Sequence, residues 1–256
     1  MYKYDLLRRN LKQFKSRIDV TQIDKHFVGK FKNFLYSKGS GKTGTANQLS
    51  KLDAIINEAI KQKLMKENPL KYMNYKVISK KKNFLTYNEL LGFERIDVSD
   101  ETGLKLTKDR FLFACYTGFA YVDVNKLKKK DINLKKGVIS IMRQKTKVEV
   151  NIPLNRKIKL LILRYFAGKD EDDLLFPSVS NQNDNRNLKV LGEKINLNFG
   201  LCFHDGRHTF GSLLVNHYKI PLTQVKELMG HSDISITAGY ANTNLGMLKE
   251  AMNKMN

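Results

Sequence analysis

Four residues in the last quarter of this 256-residue chain have the types and order needed for attack on a phosphodiester: His204, Arg207, His231 and Tyr240. A tyrosine hydroxyl is a poor nucleophile at neutral pH and needs a neighbour to manage its proton. The phosphate it attacks gathers charge in the transition state, which preorganised Arg and His donors stabilise. His204 and Arg207 are three apart, so on a helix they share one face. His231 follows Gly230, a residue suited to ending a helix, and Tyr240 comes nine residues later, on or just past the next one.

Those residues need a scaffold, and the apolar periodicity predicts one. Tyr4, Leu7, Leu11, Phe14 and Ile18 recur every three or four positions, as on an amphipathic helix. A second helix carries Phe27, Phe31, Phe34 and Leu35 and stops at Lys38-Gly39. A third begins after Thr45, runs through Leu49, Leu52, Ile56 and Ile60, and yields before Asn68-Pro69, because a residue preceding proline avoids the helical region. The lysine-rich residues 77–83 then read as a linker.

The next unit opens with the capping-box pattern Thr86-Tyr87-Asn88-Glu89. A helix at about 108–117 ends at Gly118. Residues 137–142 and 147–152 alternate as two short strands around Lys145-Thr146. Further helices are expected at about 156–166 and from His204 onward, with 170–187 polar and loop-like.

Charge is the most informative bulk property. Lys and Arg number 46 against 25 Asp and Glu, a net charge of +21. Residues 1–82 hold 20 of those cations and 6 of the acids, so a third of the chain carries +14. Such a module suits a polyanion, nucleic acid ahead of an anionic membrane. A genome that writes lysine at every tolerant surface position would produce much of the same surplus, and charge alone leaves the two open. No apolar run is long enough to span a bilayer, and the N-terminal residues lack the apolar core of a signal peptide. Cys115 and Cys202 sit in apolar stretches, as buried free thiols do in a reducing cytoplasm.

Two motifs compete with the phosphodiester chemistry. Gly39-Ser40-Gly41-Lys42-Thr43 looks like the end of a phosphate-binding loop, but that pattern needs a glycine where Tyr36 stands and a strand before it. It reads instead as a helix–helix turn. Residues 221–229, the Gly230 turn and 232–239 outline a helix-turn-helix DNA reader, although that outline leaves His204, Arg207 and Tyr240 unexplained.

Taken together, His204-x-x-Arg207-His208-Thr209-Phe210, then Leu228-Met229-Gly230-His231, then Tyr240, resemble the tyrosine recombinases, the phage-integrase-like enzymes. Residues 117–124, Thr-Gly-Phe-Ala-Tyr-Val-Asp-Val, followed by Leu127, resemble that family's first box, and Lys145 matches its β-hairpin lysine. Within the family the chain looks most similar to integrases of Bacteroidetes mobile elements. The resemblance implies a mainly α fold with a small β-hairpin or sheet (α+β), in two domains that close on duplex DNA like a C-shaped clamp. Residues 1–82 would be a helical, SAM-like core-binding module and 83–256 the catalytic domain.

The same resemblance implies roles. Tyr240 would attack the scissile phosphate and hold a 3′-phosphotyrosine link, with Arg207, His204 and His231 on the phosphate or its proton. Lys145 would protonate the departing 5′ oxygen, and Asp123 would support the site by hydrogen bonding. No metal, nucleotide or other cofactor is implied. The partners would be double-stranded DNA, three further copies of the chain in a tetramer, and accessory DNA-bending proteins, at the nucleoid in a bacterial cytoplasm and with no membrane contact.

The chain departs from the family at Ala120, where the first catalytic arginine should follow Thr-Gly-Phe. Losing one such donor costs on the order of 10²–10³ in rate, by analogy with oxyanion-hole donors. Arg143, two residues before Lys145 and so on the same face of a strand, is the candidate stand-in, with Arg110 a weaker one. The chain also starts almost directly with the basic module, where many such integrases carry an arm-binding domain first. Two alternatives stay open: a relative that binds DNA without cutting it, which Ala120 favours, and a helix-turn-helix regulator.

Overall fold

A computed structural model describes residues 4–75, 82–144 and 147–241. The chain forms two compact units, Met1–Lys80 and Lys81–Asn256. The division falls two residues before the expected 82, which places Lys82 in the second unit.

The first unit is helical. Helices α1 (Asp5–Phe14), α2 (Lys25–Ser37) and α3 (Lys42–Lys61) bury Leu7, Val28, Phe31, Leu35, Leu49, Leu52 and Ile56 between them. Phe14 packs edge-on against Phe27, with ring centroids 5.3 Å apart. Asp24 caps α2 by accepting from the Phe27 amide at 2.7 Å. Helix α3 begins at Lys42, earlier than its apolar pattern suggested, because Gly41 serves as N-cap and Thr45 already faces the core. The glycine-rich 39–43 stretch is thus the turn joining α2 to α3.

The second unit is built around one helix. After α4 (Tyr87–Arg95), which carries the expected Thr86/Glu89 capping box, comes α5 (Thr102–Thr117), buried on nearly every side from Asp109 to Cys115. Such burial marks an interior helix rather than an amphipathic surface one. Its Phe111 and Phe113 join Phe93, Phe119, Phe176 and Phe203 in an aromatic core. The short α6 (Tyr121–Lys126) follows. A three-stranded antiparallel sheet, β1 (Ile132–Asn133), β2 (Val138–Met142) and β3 (Glu149–Pro153), adds a small strand to the expected hairpin. Register pairs Ile139 with Ile132 on one side and Ile152 on the other, all three facing the core.

Helix α7 (Arg156–Phe166) lies where its periodicity placed it. Helix α8 (Asn181–Glu193) does not, since its first half falls in residues expected to be a loop. The run Asn-Gln-Asn-Asp-Asn-Arg-Asn shows no apolar stripe. Asp184 takes the inward position there, fully buried against Arg110 at 3.1 Å, with Leu188 and Leu191 continuing the face. Helix α9 (Phe203–Ser212) continues into a π-helical turn, Leu213–His217, followed by α10 (Leu222–Met229) and α11 (Ile234–Ala238). Among the described residues no helix is long and apolar enough to cross a membrane, and both cysteines are free thiols, Cys115 buried and Cys202 half-buried.

Candidate active site

Helix α9 presents His204, Arg207 and His208 along successive turns. Arg207 is pinned from both sides: Nη1 donates to the Gly118 carbonyl and Nη2 to the Met229 carbonyl, each at 2.6 Å. Both carbonyls belong to glycine turns. Gly118 ends α5 at φ +66° with Phe210 2.4 Å from where a Cβ would stand, and Gly230 ends α10 at φ +62° with Val150 2.5 Å from its own. A left-handed φ with no room for a Cβ admits glycine alone. These two turns fix the guanidinium.

Tyr240 lies just past α11, its ring buried among Phe210, Val225 and Met229. Its hydroxyl is 3.1 Å from His208 Nδ1. The His231 ring lies parallel to it at a centroid distance of 6.1 Å and is itself held by Thr237 Oγ1 at 2.9 Å. The Lys82 ammonium sits over the tyrosine ring, 4.3 Å from the centroid. The π-helical turn contributes too: Asn216 Nδ2 donates to the Tyr240 carbonyl at 2.8 Å, which ties the tyrosine's backbone to the turn that follows α9. A π turn of this kind inserts a residue into a helix and re-aims side chains, often at functional sites.

Arg143 completes the cluster from a different element. It lies one residue beyond β2, its amide donating to Val148 at the base of the hairpin loop. The side chain is 3% exposed. Asp123 Oδ2 accepts from Nη1 at 3.1 Å while Oδ1 takes the Gln144 amide at 3.0 Å, and the guanidinium packs 4.7 Å from the centroid of the Phe119 ring. Phe119 and Asp123 flank Ala120, which caps α6. Arg143 is therefore held by the very residues that surround the substituted position. Its Nε and Nη2 are buried and have no partner among the described residues. Buried donors left unmatched are uncommon, and each costs about 1–3 kcal/mol.

The electrostatics are one-sided. Burial, then the neighbouring Arg207, brings the Arg143 guanidinium down to about 10, against the pull of Asp123, so it stays charged at neutral pH. Burial pushes His208 down to about 4, helped by His204, Lys82 and Arg207. Burial and the cations Arg207, Lys82 and Arg143 do the same to His231, also to about 4. Burial raises Tyr240 above its ordinary range, partly opposed by Arg207. Around one tyrosine the fold gathers three cations, two uncharged imidazoles and one carboxylate.

Of the residues singled out by sequence, Arg207, His231, Tyr240, Arg143 and Asp123 come together. His204 joins them at the exposed edge, its ring 4.4 Å from that of His208. Lys145 lies outside the described residues. Arg110 does not serve as a stand-in: it is fully buried and engaged by Asp184, Asn125 and the Pro177 carbonyl. Sequence reading gave no role to His208 or Lys82. His208 carried one available signal, its place beside Arg207; Lys82 carried none, standing in a run of lysines.

Known proteins match this architecture along the whole chain. The model of the phage integrase family matches residues 85–246, and that of the phage integrase SAM-like domain matches residues 1–82. The tyrosine recombinase XerC of Thermodesulfovibrio yellowstonii is 24% identical over 234 residues, 85% of this chain and 77% of its own. The tyrosine recombinase XerA of Saccharolobus solfataricus is 31% identical over 147 residues, 57% of this chain and 49% of its own. Among solved structures, the Tn1549 transposon integrase in complex with a circular intermediate DNA superposes with a TM-score of 0.79 at 18% identity, over 99% of this chain and 94% of that one. A lambda integrase dimer bound to a core site gives 0.72 at 18% identity, over 93% and 87%.

Proposed function

Because the chain belongs to the phage integrase family, whose model matches it over residues 85–246, we propose that Tyr240 is the nucleophile with which it cuts and rejoins DNA. The protein is a tyrosine-type site-specific recombinase. The observation that carries the assignment of Tyr240 is its hydroxyl, held at 3.1 Å by an uncharged His208 inside a cluster of cations.

In the forward step the phenol proton passes to His208 as the phenol oxygen bonds to phosphorus and the bond to the 5′ oxygen breaks. Arg207 and the unmatched Nε and Nη2 of Arg143 hold the non-bridging oxygens, where their forked donors match a phosphate's geometry. Arg143 does the work of the arginine missing at 120. His204 and His231 donate further hydrogen bonds, Lys145 supplies a proton to the departing oxygen, and Asp123 positions Arg143. The phosphotyrosine bond conserves the energy for religation, so the reverse step needs no nucleotide.

The first unit, whose 18 Lys and Arg against 6 Asp and Glu give it +12, grips the duplex backbone, an interaction that weakens steeply with salt. Four protomers exchange strands through a Holliday junction, aided by DNA-bending proteins, in the bacterial cytoplasm. In this reading the chain serves a mobile element, as an integrase of the kind found on Bacteroidetes elements. Covalent trapping on a nicked suicide DNA bearing the element's end tests the core of this. Wild type should form a protein–DNA adduct that Tyr240→Phe does not. Intact binding to a verified site with no wild-type adduct would instead make the chain a silent DNA-binding relative, as Ala120 alone would suggest.

A further inference from the structure

We propose that Lys82 takes part in the chemistry, as the cation that stabilises the Tyr240 phenolate through the face of its ring. This rests on Tyr240 being the nucleophile. The geometry is specific. Lys82 Nζ stands 4.3 Å from the ring centroid, well inside the range in which an ammonium is attracted to an aromatic face. That attraction grows when the ring carries the negative charge of a phenolate. The ammonium lies over the face of the ring, while the hydroxyl is 3.1 Å from His208 Nδ1.

Gly239 makes room for it. Its φ is −63°, a helical value that any residue adopts, so the backbone there does not call for glycine. A Cβ there would meet Lys82 Nζ at 3.2 Å and the Ile236 carbonyl oxygen at 3.4 Å. The residue before the nucleophile is thus small where the ammonium approaches. Lys82 also helps keep both His208 and His231 uncharged. Arg207 and His208 face Tyr240 from α9, His231 from the turn after α10, and Lys82 from the segment before α4; Arg143 lies behind Arg207 and His231. Lys82 is exposed, so solvent screens it in the free protein. Bound DNA would remove that solvent and strengthen its effect.

Two substitutions in the full chain separate charge from packing. Lys82→Met keeps the apolar stem and removes the ammonium, whereas Lys82→Arg keeps a cation. Adduct formation on suicide DNA is followed in single turnover at saturating protein from about pH 6 to 10, alongside DNA affinity. Lys82→Met should slow cleavage on the order of tenfold near neutral pH, with the deficit narrowing as the pH rises, and Lys82→Arg should restore most of the rate. Unchanged rate and profile in Lys82→Met would overturn the proposal. So would a loss confined to DNA affinity, which would make Lys82 a backbone contact, or an equal loss in both variants, which would make it a packing residue. If wild type itself forms no adduct, the nucleophile assignment fails first. The ionisation of Tyr240 still decides the matter then, read without DNA as the tyrosinate absorbance lost in Tyr240→Phe. Lys82→Met should raise that pKa, and an unmoved value would refute the role.

Discussion

Replacing Arg143 should abolish most cleavage, and the structure allows chemistry to be separated from folding. Arg143→Ala removes the two unmatched buried donors, Nε and Nη2, that the proposed mechanism assigns to the phosphate. Loss of one preorganised donor group costs on the order of 10²–10³ in rate. The same change strands Asp123, 6% exposed and left with only the Gln144 amide. Breaking a buried pair by removing one partner costs about 3–5 kcal/mol, so Arg143→Ala will also melt early. The double variant Asp123→Asn/Arg143→Met removes both charges together and should recover most of that stability without recovering cleavage. The assay is single-turnover adduct formation on suicide DNA, paired with thermal unfolding. Ala120→Arg, which restores the family's arginine, should leave cleavage unchanged or raise it. A double variant that is well folded and cleaves at the wild-type rate would refute the assignment of Arg143 to the phosphate.

Two further outcomes follow from the same cluster. His208 and His231 titrate near 4 in the folded protein against an ordinary value of 6.5. The unfolded chain therefore binds protons that the native one refuses between about pH 6.5 and 4, and stability should be level above that window and fall as the pH drops through it. Unfolding temperatures measured across the range check this, and His208→Gln/His231→Gln should flatten the dependence. Gly230→Ala forces a Cβ into a left-handed turn, at a cost of about 1–2 kcal/mol, and places it 2.5 Å from Val150 and 3.4 Å from Arg143. It should lower the melting temperature and slow cleavage more than DNA binding, and equal losses in both would show that the turn does not position the arginines.

How far the site was legible in the sequence depended on whether its contacts are local. His204 and Arg207 share one helix and His231 follows its glycine turn, so spacing alone announces them. The π-helical turn at Leu213–His217 brings Asn216 to the Tyr240 carbonyl, and nothing in the apolar pattern marks it. His208 meets the tyrosine across 32 positions. Lys82 reaches it from a stretch that composition describes only as a basic linker. Helix α8 escaped for a related reason: its inward position is the carboxylate of Asp184, whose buried partner Arg110 lies 74 residues away. Periodicity registers apolar faces and is blind to a face completed by a buried ion pair.

In the proposed reading, Arg143 takes over from a catalytic arginine lost at position 120, although it comes from a different element. The strand spacing that suggested it was only partly right, since β2 ends at Met142 and Arg143 stands beyond it. What places the side chain is instead the box around Ala120. Phe119 supplies a flat surface, Asp123 a carboxylate one helical turn past the substitution, and neither depends on residue 120 itself. An arginine at 120 would bring a further cation into a site that already holds Arg143, Arg207 and Lys82, where each new positive charge meets repulsion until a phosphate arrives. Alanine at 120 relieves that repulsion in the free protein. The sign of the effect is testable in the same melts: Ala120→Arg should destabilise the DNA-free protein and regain stability on binding DNA. An Ala120→Arg protein as stable as wild type without DNA would show that the cations of this site do not sense one another.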